Sequence, residues 1–373
     1  MSEADNYELI RRKLKLGAVY APKHPKIEKL FKILWTEKEA TILAHFNGAE
    51  EGTSLRELRD RTGLPRDELK QILRTPLYKR SISRIGTKYY LLPLVPGIFE
   101  QYFIMRRDTE ENLKEVAKIY RFLFKNFLPN IYAETDFVLF RPRLPSNAEE
   151  KLVKVDEEFD VQQQILPYES IMEVIDTNEY FIVVPCQCRL IGELAGEPCK
   201  VAPADMGCFV TGPMAEQAIK KGYPGLTKQE AIEFIKKTEK AGLIHSCVAD
   251  SSVESTQIIC NCCNCHCGAF ISAKEHKTFG ALPSNFIPRF NREKCSFCEL
   301  CLKKCPIGVI YHHWPNEEDK SDQFMHVKEE NCIGCGVCAT VCPNDAIQLI
   351  KVRENNYEEK HKIGNRTLSE LLM

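Results

Sequence analysis

Cysteine is the residue type whose number and spacing most directly indicate chemistry in this chain. There are 18 cysteines in 373 residues, and the first of them is Cys186. Near the C-terminus the pattern Cys-x2-Cys-x2-Cys-x3-Cys-Pro occurs twice, with Cys295, Cys298, Cys301 and Cys305 in the first repeat and Cys332, Cys335, Cys338 and Cys342 in the second. Three thiolates spaced in this way can wrap one loop around three irons of a cubic cluster. Zinc prefers paired Cys-x2-Cys units, so the repeats indicate iron–sulfur clusters.

The two repeats resemble the bacterial two-cluster ferredoxins over about 70 residues. The resemblance implies two 4Fe-4S clusters, each of which takes its fourth thiolate from the other repeat. The implied ligands are Cys295, Cys298, Cys301 and Cys342 for cluster I, and Cys332, Cys335, Cys338 and Cys305 for cluster II. Gly334 and Gly336 should let backbone N–H groups approach the sulfurs of cluster II and raise its potential. Phe297 and Glu299 take their places in cluster I, where the carboxylate should lower the potential unless it points into water.

Ten further cysteines lie in the middle of the chain, where clustered thiols without a signal segment again indicate metal. They are Cys186, Cys188, Cys199, Cys208, Cys247, Cys260, Cys262, Cys263, Cys265 and Cys267. Because alternate residues of an extended segment face the same side, Cys186 and Cys188 should share a site. By the same argument Cys260 and Cys262 should face one way, and the other three cysteines of their block the opposite way. One or two further iron–sulfur clusters are expected here, with structural zinc as the alternative and scattered redox-active thiols as a third.

Most of the chain also resembles a group of uncharacterised iron–sulfur proteins of anaerobes. The shared motifs are Pro-Cys-x-Cys-Arg at 185–189, Ile-Cys-Asn-Cys-Cys at 259–263 and the C-terminal repeats. The resemblance implies a winged-helix-like N-terminus and redox partnership, but no substrate. In that family the position of His266 is often cysteine, which leaves a ligand role for this histidine open. His245 is a further possible ligand, although such a histidine is more often a plain polar side chain, and we interpret His312 and His313 as strand and loop residues.

The sequence patterns of the segments that must position these cysteines predict an α+β multidomain chain. Capping boxes at Thr36 and Ser54, a turn at 63–65 and a hairpin over 81–92 predict a helical, winged-helix-like N-terminal region. A further capping box at Thr227 predicts a helix that ends at Gly242. The predicted domains are 1–130 (helical, winged-helix-like), 131–280 (mixed and cysteine-rich), 281–352 (two-cluster ferredoxin) and 353–373 (a charged tail).

Charge and hydropathy restrict the partners and the compartment. Residues 1–100 carry 19 basic and 13 acidic side chains, which suggests a partner-facing surface on an otherwise acidic chain, with a solvated charged face as the alternative. There is no apolar signal segment, and no stretch approaches the roughly 20 apolar residues of a membrane helix, so we expect a cytoplasmic chain. Neither a G-x-G-x-x-G nor a P-loop fingerprint occurs, which argues against a nicotinamide, flavin or nucleotide site.

These observations predict an iron–sulfur electron-transfer protein or subunit that passes low-potential electrons to or from a larger redox enzyme. It would be a component of an oxidoreductase rather than a stand-alone enzyme, with a redox protein as its partner. One alternative is a reductase with its own active site at the middle cysteines. Another is a redox-sensing regulator, since residues 53–90 carry ten basic and four acidic side chains, with Arg66, Lys70 and Arg74 on the predicted recognition helix. Winged helices also dock proteins, so nucleic acid is the less favoured partner.

Overall fold

The computed structural model describes residues 3–15, 19–135, 138–152, 165, 169–248, 258–276, 278–314, 322–354, 362–363 and 366–367. Within them the chain is a mixed α/β protein that divides into two compact units. Unit 1 comprises Met1–Phe137, Arg189–Pro198 and His361–Met373, and unit 2 comprises Val138–Cys188 and Cys199–Lys360. The cysteines of the middle block and those of the C-terminal repeats therefore belong to the same unit. Among the described helices, none is both long enough and apolar enough to cross a membrane.

Unit 1 consists mainly of helices. They are α1 (Glu3–Lys13), α2 (Pro25–Leu34), α3 (Glu37–Leu43), α4 (Leu55–Thr62), α5 (Arg66–Tyr78), α6 (Phe99–Met105), α7 (Glu110–Asn126) and α8 (Leu128–Glu134). The capping boxes predicted at Thr36 and Ser54 are confirmed, because each side chain accepts from the amide three residues on and a Glu there accepts from the cap amide. Helix α4 ends at Gly63, whose φ of 73° is the left-handed conformation that glycine tolerates.

A small antiparallel sheet completes the N-terminal part of unit 1. Its strands are β1 (Thr53–Ser54), β2 (Ile82–Ile85) and β3 (Lys88–Leu91), in the order β1-β3-β2. The hairpin predicted over 81–92 is confirmed as β2 and β3. Leu58 of α4, Leu73 of α5 and Ile82 of β2 are fully buried, so the helices and the hairpin contribute to a hydrophobic core.

A five-stranded antiparallel sheet forms the centre of the middle region in unit 2. Its strands are β4 (Phe140–Pro142), β5 (Phe181–Val184), β6 (Cys208–Thr211), β7 (Ile244–Val248) and β8 (Ile258–Cys262), in the order β4-β7-β8-β6-β5. The helices of this region are α9 (Ile171–Asp176), α11 (Gly212–Lys220), α12 (Lys228–Ala241) and α13 (Ala273–His276). A further helix, α10 (Gln187–Leu194), has its first two residues in unit 2 and the rest in unit 1. The predicted capping box at Thr227 and the left-handed end at Gly242 bound α12.

The two faces of this sheet bury different sets of side chains. Phe181, Phe209 and Ile259 pack against α9 and α12 on one face. Ile182 and Val210 pack against Ala215 of α11 on the other. Because neighbouring residues of a strand point to opposite faces, each cysteine in these strands is assigned to one face or the other.

The C-terminal part of unit 2 repeats one supersecondary unit. Its elements are β9 (Phe286–Phe290), α14 (Leu300–Lys304), β10 (Ile310–His313), β11 (Phe324–Val327), α15 (Val337–Thr340) and β12 (Ile347–Lys351). Strand β9 pairs with β12, and β10 pairs with β11, both antiparallel. Each strand pair therefore joins the start of one repeat to the end of the other. The remaining strands, β13 (Lys362–Ile363) and β14 (Arg366–Thr367), pair antiparallel in unit 1.

Candidate metal centres

The two C-terminal repeats form loops with the same backbone conformation. In the first repeat Phe297 and Glu299 have φ values of 53° and 59°, and in the second Gly334 and Gly336 have values of 65° and 74°. These positions are equivalent in the repeats, and all four lie in the left-handed region. Glycine adopts this conformation without penalty, whereas the two larger residues of the first loop are strained.

Glycine is also required at position 334 because neighbouring atoms leave no room for a side chain. A Cβ atom at this position would meet the carbonyl oxygen of Phe286 and the hydroxyl oxygen of Ser284. The Ser284 hydroxyl donates to the Gly334 carbonyl oxygen at 2.7 Å, and it accepts from the Phe286 amide at 3.2 Å. Ser284 therefore ties the second loop to the start of β9, and a side chain at position 334 would break this contact.

The structure brings the eight cysteines of the repeats together in two sets of four. One cavity is lined by Cys295, Cys298, Cys301 and Cys342, and another by Cys305, Cys332, Cys335 and Cys338. Each set takes three cysteines from one repeat and one from the other, as the ferredoxin resemblance implies. The strand pairing accounts for this, because β12 follows Cys342 and lies beside β9, which leads into the first loop. The individual ligand roles stay predictions.

The thiols that line the two cavities are buried or half-buried, except for Cys298, which is exposed. Burial raises the pKa of the Cys301 and Cys332 thiols to about 11. It likewise raises the pKa of Cys335 and Cys338. Without a cation the thiolates would be unfavourable in these sites, so a bound metal would have to stabilise them. The donor atoms are all soft sulfurs, and such a set fits iron–sulfur clusters.

Glu299 of the first loop is paired with a histidine. His312 donates from Nδ1 to the Glu299 carboxylate at 3.0 Å, and this bond is the main reason that the pKa of Glu299 is lowered. The His312 ring stacks on Phe297 at 5.4 Å between centroids and contacts Trp314 at 4.0 Å. His312 lies in β10, as does His313, which had been predicted to be in a strand or a loop. The effect of Glu299 on the potential of cluster I stays a prediction.

Six of the ten middle cysteines form a second kind of centre, which we call the six-cysteine group. Its members are Cys186, Cys188, Cys208, Cys260, Cys262 and Cys267. The Sγ atoms of Cys208 and Cys260 are 3.6 Å apart, and those of Cys262 and Cys267 are 3.4 Å apart. The Cys188 thiol interacts with those of Cys186 and Cys267, which links the two ends of the group. Cys186 and Cys188 are in contact as expected, but not on one face of an extended segment, because Cys188 lies in α10 (Gln187–Leu194).

Strand register explains why cysteines from distant segments meet here. Phe209 of β6 lies opposite Ile259 of β8, so Cys208 and Cys260, the neighbours of these residues, point to the opposite face. Cys262 follows Cys260 by two residues and points to the same face. Contact with the Cys208 thiol raises the pKa of Cys260, and contact with Cys260 raises that of Cys262.

Gly207 permits the close approach of two segments in the six-cysteine group. A Cβ atom at this position would meet the Val184 carbonyl oxygen and lie 2.5 Å from the Cys186 amide nitrogen. Both neighbours are backbone atoms, which cannot turn aside as a flexible side chain would. Glycine at 207 therefore lets the segment that ends at Cys208 pack directly against the segment that carries Cys186.

Cys247 lies apart from the six-cysteine group. It is opposite Ile259 in the β7–β8 register, so it points to the other face of the sheet from Cys260. Its Sγ accepts a hydrogen bond from Nε of Arg143 at 3.1 Å, and the thiol contacts the Arg141 carbonyl oxygen at 3.6 Å. Although the sequence made Cys247 a candidate ligand, the structure does not place it with the other cysteines.

The remaining three middle cysteines meet at another place, together with His266. The ligand atoms of Cys199, Cys263, Cys265 and His266 all lie within 4.8 Å of one another. Cys267, by contrast, contacts Cys262, so the expectation that it faces the same way as Cys263 and Cys265 is wrong. The reason is that the chain turns after β8 instead of continuing as an extended segment. The sequence left His266 open, and no local signal links it to Cys199.

His245 is buried in a separate polar network. Its ring lies 2.8 Å from Asn261 Oδ1 and 3.2 Å from Glu239 Oε1. Glu239 in turn accepts from the amide and the hydroxyl of Ser146 at 2.6 and 2.8 Å. These contacts occupy both ring nitrogens and agree with the interpretation of His245 as a polar structural residue.

The comparisons with known proteins concern the C-terminal part of the chain. Residues 294–346 match the family model of the 4Fe-4S dicluster domain. The chain is 35% identical over 91 residues to an archaeal-type glutamate synthase (NADPH) of Dehalococcoides mccartyi, a match that covers 24% of this chain and 16% of the relative. It is 32% identical over 101 residues to the electron transport protein HydN of Escherichia coli, covering 24% of this chain and 53% of HydN.

A further relative is subunit I of the NAD(P)H-quinone oxidoreductase of Gloeobacter violaceus, 29% identical over 78 residues, with 20% of this chain and 37% of the subunit covered. The chain thus spans about half or less of the length of these curated relatives. No solved structure is significantly similar to it. The C-terminal repeats therefore match the 4Fe-4S dicluster domain, and the similar proteins include one named as an electron transport protein and one named as an oxidoreductase subunit.

Proposed function

We propose that this chain is an iron–sulfur electron-transfer protein or subunit that exchanges low-potential electrons with a larger redox enzyme. The observation that carries the proposal is the pair of cavities, each lined by four cysteines in the crossing pattern, within the residues that match the dicluster domain. When bound, the two 4Fe-4S clusters supply one-electron redox chemistry. The relatives named as electron transport or oxidoreductase components support this function.

The protein's own contribution is to hold the two sets of thiolates close together. Cys301 lies in α14 and lines the first cavity, and Cys305 follows the same helix and lines the second. One helical turn therefore connects the two ligand sets, which suits electron exchange between clusters. The sequence difference between the loops, Glu299 against Gly336, would separate the two potentials.

The six-cysteine group would hold a third iron–sulfur centre. Its donors are all sulfur, most of them are buried, and the group lies in the same unit as the dicluster region. Structural zinc in this group is the alternative. A cubic cluster needs four thiolates, and this group offers six. Every iron of such a cluster could therefore be bound by a cysteine, which would leave no open iron for a substrate. This argues against a reductase active site in the six-cysteine group.

The N-terminal region would serve as a winged-helix-like docking module for the redox partner. The order of α3, α4, α5 and the β2–β3 hairpin supports this assignment. A DNA-binding role is less favoured because part of the basic charge is already paired: Lys70 lies 3.1 Å from Asp67, and Lys79 lies 2.8 Å from Asp108. Salt-sensitive binding of a specific DNA duplex that is lost in Arg66→Ala would instead support the regulator.

Iron and acid-labile sulfide, counted per chain after anaerobic purification, test the proposed function. The full chain should contain about twelve irons, eight of them in the dicluster region. Cys298→Ser and Cys335→Ser should each remove or convert one of the paired signals that reduced, interacting clusters give in electron paramagnetic resonance. Cys247→Ser is the matched control, since this cysteine lies outside all the proposed centres, and it should change neither count nor signal.

Two outcomes would contradict the proposal. One is a full chain that holds fewer than about eight irons after anaerobic reconstitution. The other is a fully loaded chain whose clusters cannot be reduced at low potential. If the count is about eight and the signals are normal, the dicluster function stands and the third centre is refuted.

A further inference from the structure

We infer that Cys199, Cys263, Cys265 and His266 form a closed binding site for a single zinc ion, separate from the iron–sulfur centres. The four ligand atoms all lie within 4.8 Å of one another. The Cys199 and Cys265 sulfurs are 3.4 Å apart, and the Nδ1 atom of His266 is 3.1 Å from the Cys265 sulfur. Among the residues that the structure describes, no other set of three or more histidine, cysteine or acidic side chains converges so tightly.

The convergence of all four ligand atoms distinguishes one ion from a cluster, because single pairs of sulfurs at 3.4 and 3.6 Å also occur in the six-cysteine group. A zinc–sulfur bond of about 2.3 Å in a tetrahedral shell puts neighbouring sulfurs about 3.8 Å apart. In a cubic cluster each thiolate binds its own iron, so the four sulfurs are spread much more widely. The four cysteines around each dicluster cavity do not converge in this way, although they lie in described residues. The spacing at Cys199 therefore suits a single ion.

The ligand types and their surroundings favour zinc in a structural role. Three cysteines and one histidine are a common tetrahedral set for structural zinc, and they leave no position open for a substrate. Cys263 and His266 are buried, and Ala202, Met206 and Leu243 form an apolar shell next to the site. The Val201 amide lies 3.4 Å from the Cys199 sulfur and can donate a hydrogen bond to it. An apolar shell with one amide donor is a typical environment for a stable zinc–thiolate site.

The position of the site in the fold indicates which segments the ion would stabilise. Cys199 begins the segment that leads to Cys208, while Cys263, Cys265 and His266 lie in the turn between Cys262 and Cys267. Three members of the six-cysteine group therefore adjoin the two segments that the zinc ion would connect. Bound zinc would hold these segments in place and so position the neighbouring thiolates. This inference does not depend on the electron-transfer function.

Metal analysis of the full-length chain tests the inference. Protein produced with both iron and zinc in the medium should contain one zinc per chain. Zinc-edge X-ray absorption should show three sulfurs at about 2.3 Å and one nitrogen at about 2.0 Å. Cys265→Ser should lose the zinc and keep the irons of the dicluster region, whereas Cys208→Ser should keep the zinc. Cys247→Ser is the matched control and should retain both metals.

A second variant, which keeps a metal ligand at the substituted position, tests the inference even if Cys265→Ser destabilises the protein. His266→Cys should retain one zinc, with a shell that changes from three sulfurs and a nitrogen to four sulfurs. The inference is refuted by wild-type protein without zinc, by a four-sulfur shell in the wild type, or by a Cys265→Ser protein that keeps its zinc. A chain that lacks zinc but keeps its irons and their reduction signals would refute this inference alone and leave the proposed function intact.

Discussion

Replacing Gly334 by alanine should selectively damage the second loop of the dicluster region. The φ of 65° costs an L-amino acid about 1 kcal/mol. The new Cβ would also meet the Phe286 carbonyl oxygen and the Ser284 hydroxyl. Overpacking of this kind costs about 1–3 kcal/mol. The total cost is about 2–4 kcal/mol. It would lower the ratio of intact loop to open loop about 30- to 1,000-fold.

The assay is the iron and sulfide count together with the resonance spectrum of the reduced protein. Gly334→Ala should lose about four irons, and the remaining cluster should give an isolated signal without the broadening of an interacting pair. Gly63→Ala is the matched control, because Gly63 has a φ of 73° and nothing lies within 4 Å of its added Cβ. The reasoning would be wrong if Gly334→Ala kept all its irons and released them to a chelator no faster than Gly63→Ala.

Four other substitutions give further predictions. Phe297→Gly should change the stability of the first loop by less than about 1 kcal/mol, because relief of a φ of 53° is offset by loss of the stacking on His312, and an unchanged rate of iron release to a chelator would show this. Glu299→Gln should raise the potential of cluster I, as measured by voltammetry, and an unchanged potential would mean that solvent and His312 screen the carboxylate. Gly207→Ala should remove about four irons without affecting the dicluster signals, and full iron content would contradict the packing argument. Burial raises the pKa of Glu100 from 4.5 to about 7, so stability should fall as the pH rises between these values; Glu100→Gln should flatten this dependence in thermal melts, and an unaltered profile would exclude Glu100 as its source.

Local patterns in the sequence predicted several elements and the two dicluster sets. The capping boxes at Thr36, Ser54 and Thr227 depend on residues three positions apart, and all three are formed. The two dicluster sets follow from spacing within each repeat and from the resemblance of the repeats to ferredoxins. The sequence could not show that Phe297 and Glu299 adopt the same left-handed conformation as the two glycines, because neither residue type favours it.

By itself, the sequence predicts that the middle cysteines bind metal as a class, since so many thiols in so short a stretch indicate it. Only the tertiary structure decided which of them meet. Cys199 and Cys265 are 66 positions apart, and their contact depends on a turn whose direction no local pattern specifies. The face on which Cys247 lies depends on the register of β7 with β8, where a shift of one residue would exchange the two faces. In the repeats, three cysteines of each set follow from short spacing along the chain and the fourth from the pairing of β9 with β12. In the middle block, which cysteines meet depends throughout on strand pairing and on packing between distant segments.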